Sequence, residues 1–234
     1  MPGVPPARYA FPGPHGSSIE AALRTLPAAR SADLQAQPTA RAALDAVRNG
    51  EADGAFLLIE TVDGGSDGET LDALSYGDPV VITREVLGPN GTRFVLVSRP
   101  GLPLPPTGDD KTSLVIFGVQ GKPGALRAIL DEFALRGVDV TRLDPRPTGQ
   151  ALGRYWFSFD VEGHVADARL GEALMGLRRL GVDMRFLGSY PRDRYDKATV
   201  RPGTTEAGRG DQGRTDVDFL DAERWLGRLR DGRI

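Results

Sequence analysis

Residues 112–192 predict an α+β domain of the ferredoxin-like type. Two observations carry this. Strand-like and helix-like segments follow one another in the order β-α-β-β-α-β. The stretch before them, Arg99-Pro-Gly-Leu-Pro-Leu-Pro-Pro-Thr-Gly-Asp-Asp110, is too rich in Pro and Gly for a helix or a central strand, so 99–111 reads as a linker to a separate unit at 8–98.

The elements follow in order. Thr112-Ser-Leu-Val-Ile-Phe-Gly-Val119 is strand-like, and Gln120-Gly-Lys-Pro-Gly124 is a turn opening a helix over 125–134. Leu126, Ile129, Leu130 and Phe133 form that helix's apolar stripe, and Gly137 ends it. Val138–Leu143 alternates as a strand. Arg154–Val161 is another, dense in aromatic and β-branched residues. Ala166–Leu180 is a second helix with Leu170, Leu174, Leu177 and Leu180 on one face, Gly181 stops it, and Asp183–Gly188 is the fourth strand. Beyond it, 193–234 begins polar and Gly-rich. It ends in Asp216–Asp231, where Val217, Leu220, Trp225, Leu226 and Leu229 recur at roughly helical spacing. This predicts an amphipathic helix docked on a domain surface. A membrane-surface helix is disfavoured because its polar face mixes Asp, Glu and Arg.

Composition excludes several classes of function. The 234 residues carry a net charge of −3, with Lys only at 111, 122 and 197, so nothing clusters the cations that nucleic-acid phosphates require. With no cysteine and only His15 and His164, thiol nucleophiles, disulfides and zinc-type spacings are absent, and no metal site is expected. No apolar run approaches the roughly 18 residues of a membrane span, and Met1–Arg8 lacks the layout of a signal peptide. The expectation is a cytoplasmic protein. There is no Walker loop, no Gly-x-Ser-x-Gly elbow and no dinucleotide fingerprint.

The runs Gly121-Lys-Pro-Gly-Ala-Leu126, Thr141-Arg-Leu-Asp-Pro-Arg-Pro147, Val161-Glu-Gly-His164 and Phe186-Leu-Gly-Ser-Tyr-Pro191 resemble the ACT domain of prephenate dehydratases. The resemblance implies an L-phenylalanine site between two such domains, with Gly124, Ala125, Leu126, Asp144, Arg146 and Pro147 at the lining positions. Asp144 and Pro145 stand where the family's Glu-Ser-Arg-Pro run has Glu and Ser. Free backbone N–H groups at the start of the 125–134 helix suit a ligand carboxylate. The resemblance also implies a homodimer or homotetramer joined through the ACT domains, and no cofactor.

The N-terminal region resembles the same family in pieces. Tyr9-Ala-Phe-Pro-Gly-Pro-His-Gly-Ser-Ser18 is similar to the family's opening run, with His15 in place of Glu. Ala46–Gly54 is similar to the segment in which a helix leads into a strand. Leu58-Ile-Glu-Thr-Val-Asp-Gly-Gly-Ser66 with Glu69-Thr-Leu-Asp72 matches the next signature, although Thr61-Val62 replaces Asn-Ser. Pro89-Asn-Gly-Thr-Arg-Phe94 carries the Thr-Arg-Phe signature, and Trp225-Leu-Gly-Arg-Leu229 resembles the actinobacterial branch. The implied fold is an α/β lobe, one half of a two-lobed, periplasmic-binding-protein-like dehydratase domain. The family's second lobe has no room here. Val80–Leu87 runs at once through Gly88-Pro-Asn-Gly91 into Thr92–Val97. Pro-Asn-Gly is strong turn chemistry, because Asn and Gly accept positive φ. A β-hairpin is the simplest connection, and two strands set apart in the sheet is the alternative.

The family reaction converts prephenate to phenylpyruvate, water and carbon dioxide. By resemblance Thr92 assists the leaving hydroxyl, Arg93 is the cation for a substrate carboxylate, and Ser17 and Glu60 face the same cleft. His15 lies in the cleft loop as a further ligand or proton-transfer candidate, whereas His164, in a Glu-Gly-His turn, reads as structural. Three functions follow: a shortened, phenylalanine-regulated prephenate dehydratase active as an oligomer; a phenylalanine-sensing regulator that has lost catalysis; or an enzyme of secondary metabolism acting on a prephenate-like acid.

Overall fold

A computed structural model describes residues 6–118, 123–149, 151–152, 154–193 and 215–231. Gln120, Gly121 and Lys122 of the turn run, and the polar segment 194–214, lie outside the described residues. The chain divides into two compact units, Met1–Pro105 with Phe186–Lys197, and Pro106–Arg185 with Ala198–Ile234.

The first unit alternates strands and helices: β1 (Arg8–Pro12), α1 (Ser18–Leu23), β2 (Asp33–Gln37), α2 (Ala40–Arg48), β3 (Gly54–Thr61), β4 (Gly65–Ser66), α3 (Gly68–Ser75), β5 (Val81–Leu87) and β6 (Arg93–Ser98). Its mixed sheet has the order β2-β1-β3-β6-β5, with β4 paired to β3. β1 runs parallel to β2 and β3, while β6 is antiparallel to both β3 and β5. The carboxyl ends of β1, β3 and β5 and the amino end of β6 therefore share one edge. Helix boundaries are set by local chemistry. Ser17, Thr39 and Asp67 cap α1, α2 and α3 through their side chains. Glu69 accepts the Ala40 N–H at 3.1 Å, so part of the Glu69–Asp72 run holds the start of α2. Arg48 donates to the Ala73, Tyr76 and Asp78 carbonyls, satisfying backbone acceptors at the end of α3. Phe11, Leu23, Phe56 and Phe94 centre the core, and the Phe56 and Phe94 rings stack at 5.2 Å.

β5 and β6 form a hairpin, the first of the two connections left open by the sequence. The Gly88 N–H donates to the Thr92 carbonyl at 2.7 Å. Asn90 sits at φ +58° and Gly91 at φ +75°; among the described residues Asn90 is the one non-glycine with positive φ.

The second unit contains β7 (Asp110–Phe117), α4 (Ala125–Ala134), β8 (Val140–Pro147), β9 (Tyr155–Glu162), α5 (Ala168–Arg179) and α6 (Asp216–Arg230), with the first three residues of β10 (Asp183–Pro191), the rest of which counts with the first unit. The sheet order β10-β7-β9-β8 is the ferredoxin-like one. Several boundaries shift from the sequence reading, β10 running on to Pro191 among them, and two have a visible cause. β7 starts at Asp110, inside the stretch read as linker, because the Asp110 carboxylate accepts the Thr107 and Gly108 N–H groups and ends the loop there. β8 runs on to Pro147, four residues past Leu143. Pro145 and Pro147 lack an N–H, and an edge strand tolerates that loss.

The helix at the end of the chain corrects an expectation. Its first turn is anchored: Thr215 and Asp218 form a capping box, and Asp216 accepts the Arg169 N–H at 2.9 Å and pairs with its guanidinium at 3.4 Å. The predicted stripe does not dock. Val217, Leu220, Trp225, Leu226 and Leu229 all remain exposed.

Asp160 of β9 is a buried carboxylate held by three neighbours. Arg142 reaches it twice at 3.0 Å, the Ser113 hydroxyl donates at 2.6 Å, and the Lys111 ammonium lies 3.6 Å away. Desolvation pushes its carboxyl up, but the attraction of Arg142 and Lys111 outweighs it, and the net value is about 2. Because the folded carboxyl ionises below the unfolded one, its stabilisation is whole above about pH 4 and is lost as pH falls toward about 2. Asp160→Asn removes the carboxylate that Arg142 and Lys111 share. It is expected to cost about 3–5 kcal/mol in urea unfolding near neutral pH, and to flatten the acid dependence below pH 4.

Candidate functional site

The edge of the first sheet gathers the candidate catalytic residues. Ser17 follows β1, Glu60 ends β3, and Thr92 and Arg93 open β6. Open α/β sheets bind ligands at the carboxyl ends of their strands.

Arg93 is the electrostatic centre of this edge. Glu60 is its cross-strand partner in register, and the Arg93 Nε lies 3.3 Å from a Glu60 carboxylate oxygen. Its other arm reaches the Glu85 carboxylate at 3.0 Å. Glu85, on β5, was not singled out in the sequence. It is only 3% exposed, and its second oxygen accepts the Asp193 N–H at 3.1 Å. The Asp193 carboxylate in turn accepts the Leu87 N–H at 3.0 Å. One guanidinium is thus shared by two carboxylates before any ligand arrives. The signal for Glu85 was present as a charge inside the apolar run Val80–Leu87, but its partner is set by the register of β5 on β6.

Ser17 accepts the Glu20 N–H as the cap of α1. Glu20, nearly buried, accepts the Gly16 N–H at 2.6 Å and pairs with Arg24 at 2.6 Å. The Gly16 N–H, then Arg24, hold its carboxyl below the ordinary carboxylate range. His15 places Nδ1 3.4 Å from Glu20 and its ring edge-on to Phe11, so it shares the loop that carries Ser17. Thr92 is half-buried, and its carbonyl closes the hairpin.

In the second unit, Gly124 caps α4 with φ +81°. With Ala125 it lines an open cavity of about 430 Å³, together with Phe117, Ala128, Ile129 and the Leu180–Asp183 turn. Leu126 does not line it. Asp144, Arg146 and Pro147 do not either; they lie on the edge strand β8, opposite Ser158, Trp156 and Tyr155 of β9. One chain therefore does not bring the two halves of the expected ligand site into one cavity. His164 is buried, and its Nδ1 accepts the Ala166 N–H at 3.1 Å, a structural role. Among the described residues no cluster of His, Asp and Glu could hold a metal ion, and no helix is long and apolar enough to cross a membrane.

An α/β lobe with polar residues gathered at its strand ends, together with a ferredoxin-like unit carrying a ligand-sized cavity, defines a two-part protein of the α/β plus ferredoxin-like class. Residues 9–102 match the prephenate dehydratase family model and residues 113–179 the ACT domain model. The prephenate dehydratase of Amycolatopsis methanolica is 32% identical over 312 residues, covering 97% of this chain and 99% of the relative. The crystal structure of prephenate dehydratase from Arthrobacter aurescens, in complex with L-Phe, superposes with a TM-score of 0.81 at 30% identity, covering 96% of this chain and 100% of that one. The X-ray structure of the Streptococcus mutans prephenate dehydratase gives 0.69 at 29% identity, covering 79% and 97%. The chain belongs to the prephenate dehydratase family. Its 234 residues are matched across 312 aligned positions, so the likeness to the Amycolatopsis enzyme spans long gaps.

The shared guanidinium has a measurable consequence. Arg93→Met removes the guanidinium paired with buried Glu85 and is expected to cost about 1–3 kcal/mol in urea unfolding. Adding Glu85→Gln should recover part of that loss, with a coupling energy that a double-mutant cycle reads directly.

Proposed function

We propose that this chain serves L-phenylalanine biosynthesis as a phenylalanine-regulated prephenate dehydratase, converting prephenate to phenylpyruvate, water and carbon dioxide. The observation that carries this reading is the placement of Thr92-Arg93-Phe94 at the strand-end edge, with Arg93 held on Glu60. In this reading the Thr92 hydroxyl assists departure of the substrate hydroxyl as carbon dioxide leaves and the ring aromatises. Arg93 exchanges an internal carboxylate for one of the substrate's, and Ser17 and Glu60 complete the polar wall. One lobe encloses only half a cleft, so the other wall comes from a second chain in a homodimer or homotetramer. Phenylalanine, the ligand named for the Arthrobacter structure, occupies a site at Gly124, Ala125 and Leu126 of one ACT domain. Asp144, Arg146 and Pro147 of a second ACT domain close it. Their separation within one chain supports a ligand site built from two.

A second reading, a phenylalanine sensor without catalysis, is favoured by one observation. Arg93 already carries two carboxylates, which disfavours a dianionic substrate beside it.

Two measurements separate these readings. Purified protein with prephenate is expected to form phenylpyruvate above the spontaneous background. Thr92→Ala should lower turnover by about 10²-fold and leave calorimetric phenylalanine binding unchanged. Phenylalanine binding with no product would establish the sensor, and failure of both would reject the two together. Gly124→Val, at a φ that suits glycine, should weaken phenylalanine binding without altering turnover in its absence.

A further inference from the structure

Of the large apolar side chains of α6, Phe219 is partly covered, while Val217, Leu220, Trp225, Leu226 and Leu229 stay exposed. Beyond its anchored first turn, every residue from Leu220 to Asp231 except Gly227 is exposed, with Trp225 at 54%. At 3.6 residues per turn, Ala222, Trp225, Leu226 and Leu229 fall on one stripe about 100° wide. Exposed aromatic and aliphatic residues in one stripe mark an interaction surface.

The charges beside that stripe select the occupant. Asp221 and Arg228 lie along one flank, and Glu223 and Arg230 along the other. Each flank therefore carries an acid two turns ahead of a base. If two copies of α6 packed in parallel, opposite flanks would meet at the same height. Asp221 would face Glu223 and Arg228 would face Arg230, like against like. Packed antiparallel about a two-fold axis, each flank meets itself reversed. Asp221 then faces Arg228 of the second copy, and Glu223 faces its Arg230. With Ala222 set against Leu229 and Trp225 against Leu226, each charge pair is offset by two residues, about 3 Å along the axis, which the long Arg228 and Arg230 side chains span, so the apolar and charged pairs are compatible with one alignment. Asp221 already pairs with Arg224 at 2.7 Å, but both side chains are well exposed, so that bond is given up at little cost.

We propose that α6 is a self-association element that pairs antiparallel with α6 of a second copy of this chain, through Ala222, Trp225, Leu226 and Leu229. The surface is separate from the cavity at Gly124 and from the edge strand β8, and the inference does not depend on the catalytic reading. Two helices of this length bury less than the roughly 800 Å² per partner of a standard interface. The pairing is therefore a weak contact, strengthened when the rest of the chain holds the copies close.

The chain contains no cysteine, so introduced thiols report contacts cleanly. The test is oxidation of full-length Ala222→Cys/Leu229→Cys with copper phenanthroline, read as disulfide-linked dimer on non-reducing gels. Positions 222 and 229 are about 10 Å apart along one helix, too far for a disulfide within a chain or between like positions of an antiparallel pair. The double variant is expected to cross-link at least ten-fold faster than either single variant, and adding Trp225→Glu should return it to the single-variant rate. Cross-linking of the double variant no faster than the singles would overturn the proposal. So would equally fast cross-linking of Ala222→Cys alone, which would mean parallel pairing.

Discussion

The first unit depends on the turn from Gly88 to Thr92. It reverses the chain between β5 and β6, and β6 lies between β3 and β5. The turn demands positive φ at two consecutive residues, which Asn90 and Gly91 provide. It also demands that Gly88 have no side chain, because a Cβ there would come within 2.7 Å of the Phe94 ring. Phe94 in turn stacks on Phe56 in the core. The turn, the core and the register are one constraint seen at three levels, and that register places Arg93 beside both Glu60 and Glu85.

Electrostatics follow from this placement. Glu85 is buried because β5 is covered, and a buried carboxylate requires a cation or several donors. Arg93 and the Asp193 N–H meet that requirement. The second unit solves the same problem with Arg142, Lys111 and Ser113 around Asp160, but there the charged side chains are only 7–11% exposed. The difference matters for chemistry. Arg93 is about a third exposed and can exchange partners, whereas Arg142 and Lys111 are committed to the fold.

Within the family, the likeness to nearly the whole of the Amycolatopsis relative, bridged by long gaps, fits a catalytic unit reduced to one lobe. The hairpin is a physically sound seam for that reduction, since it leaves no unpaired strand end between β5 and β6. The ACT unit keeps its sheet order and its helix-start cavity.

The sequence by itself determined what depends on nearest neighbours. The β-α-β-β-α-β order, the span 125–134 of α4, the turn at Asn90-Gly91 and the class of the chain could all be read from periodicity, turn chemistry and motif, because each is decided within a few residues. What depends on partners distant in sequence was decided only by the tertiary structure. Glu85 looked like a stray charge in an apolar run until strand register set it on Arg93. Asp110 and Lys111 looked like linker until Thr107, Gly108 and Asp160 held them in β7. The stripe of α6 predicted a docked helix, since periodicity shows that a face is apolar but not what covers it. The ligand residues at 124–126 and 144–147 were legible as motifs. That they lie apart in one chain was not, because β8 continues through its prolines only as an edge strand, and edge position is a property of the assembled sheet.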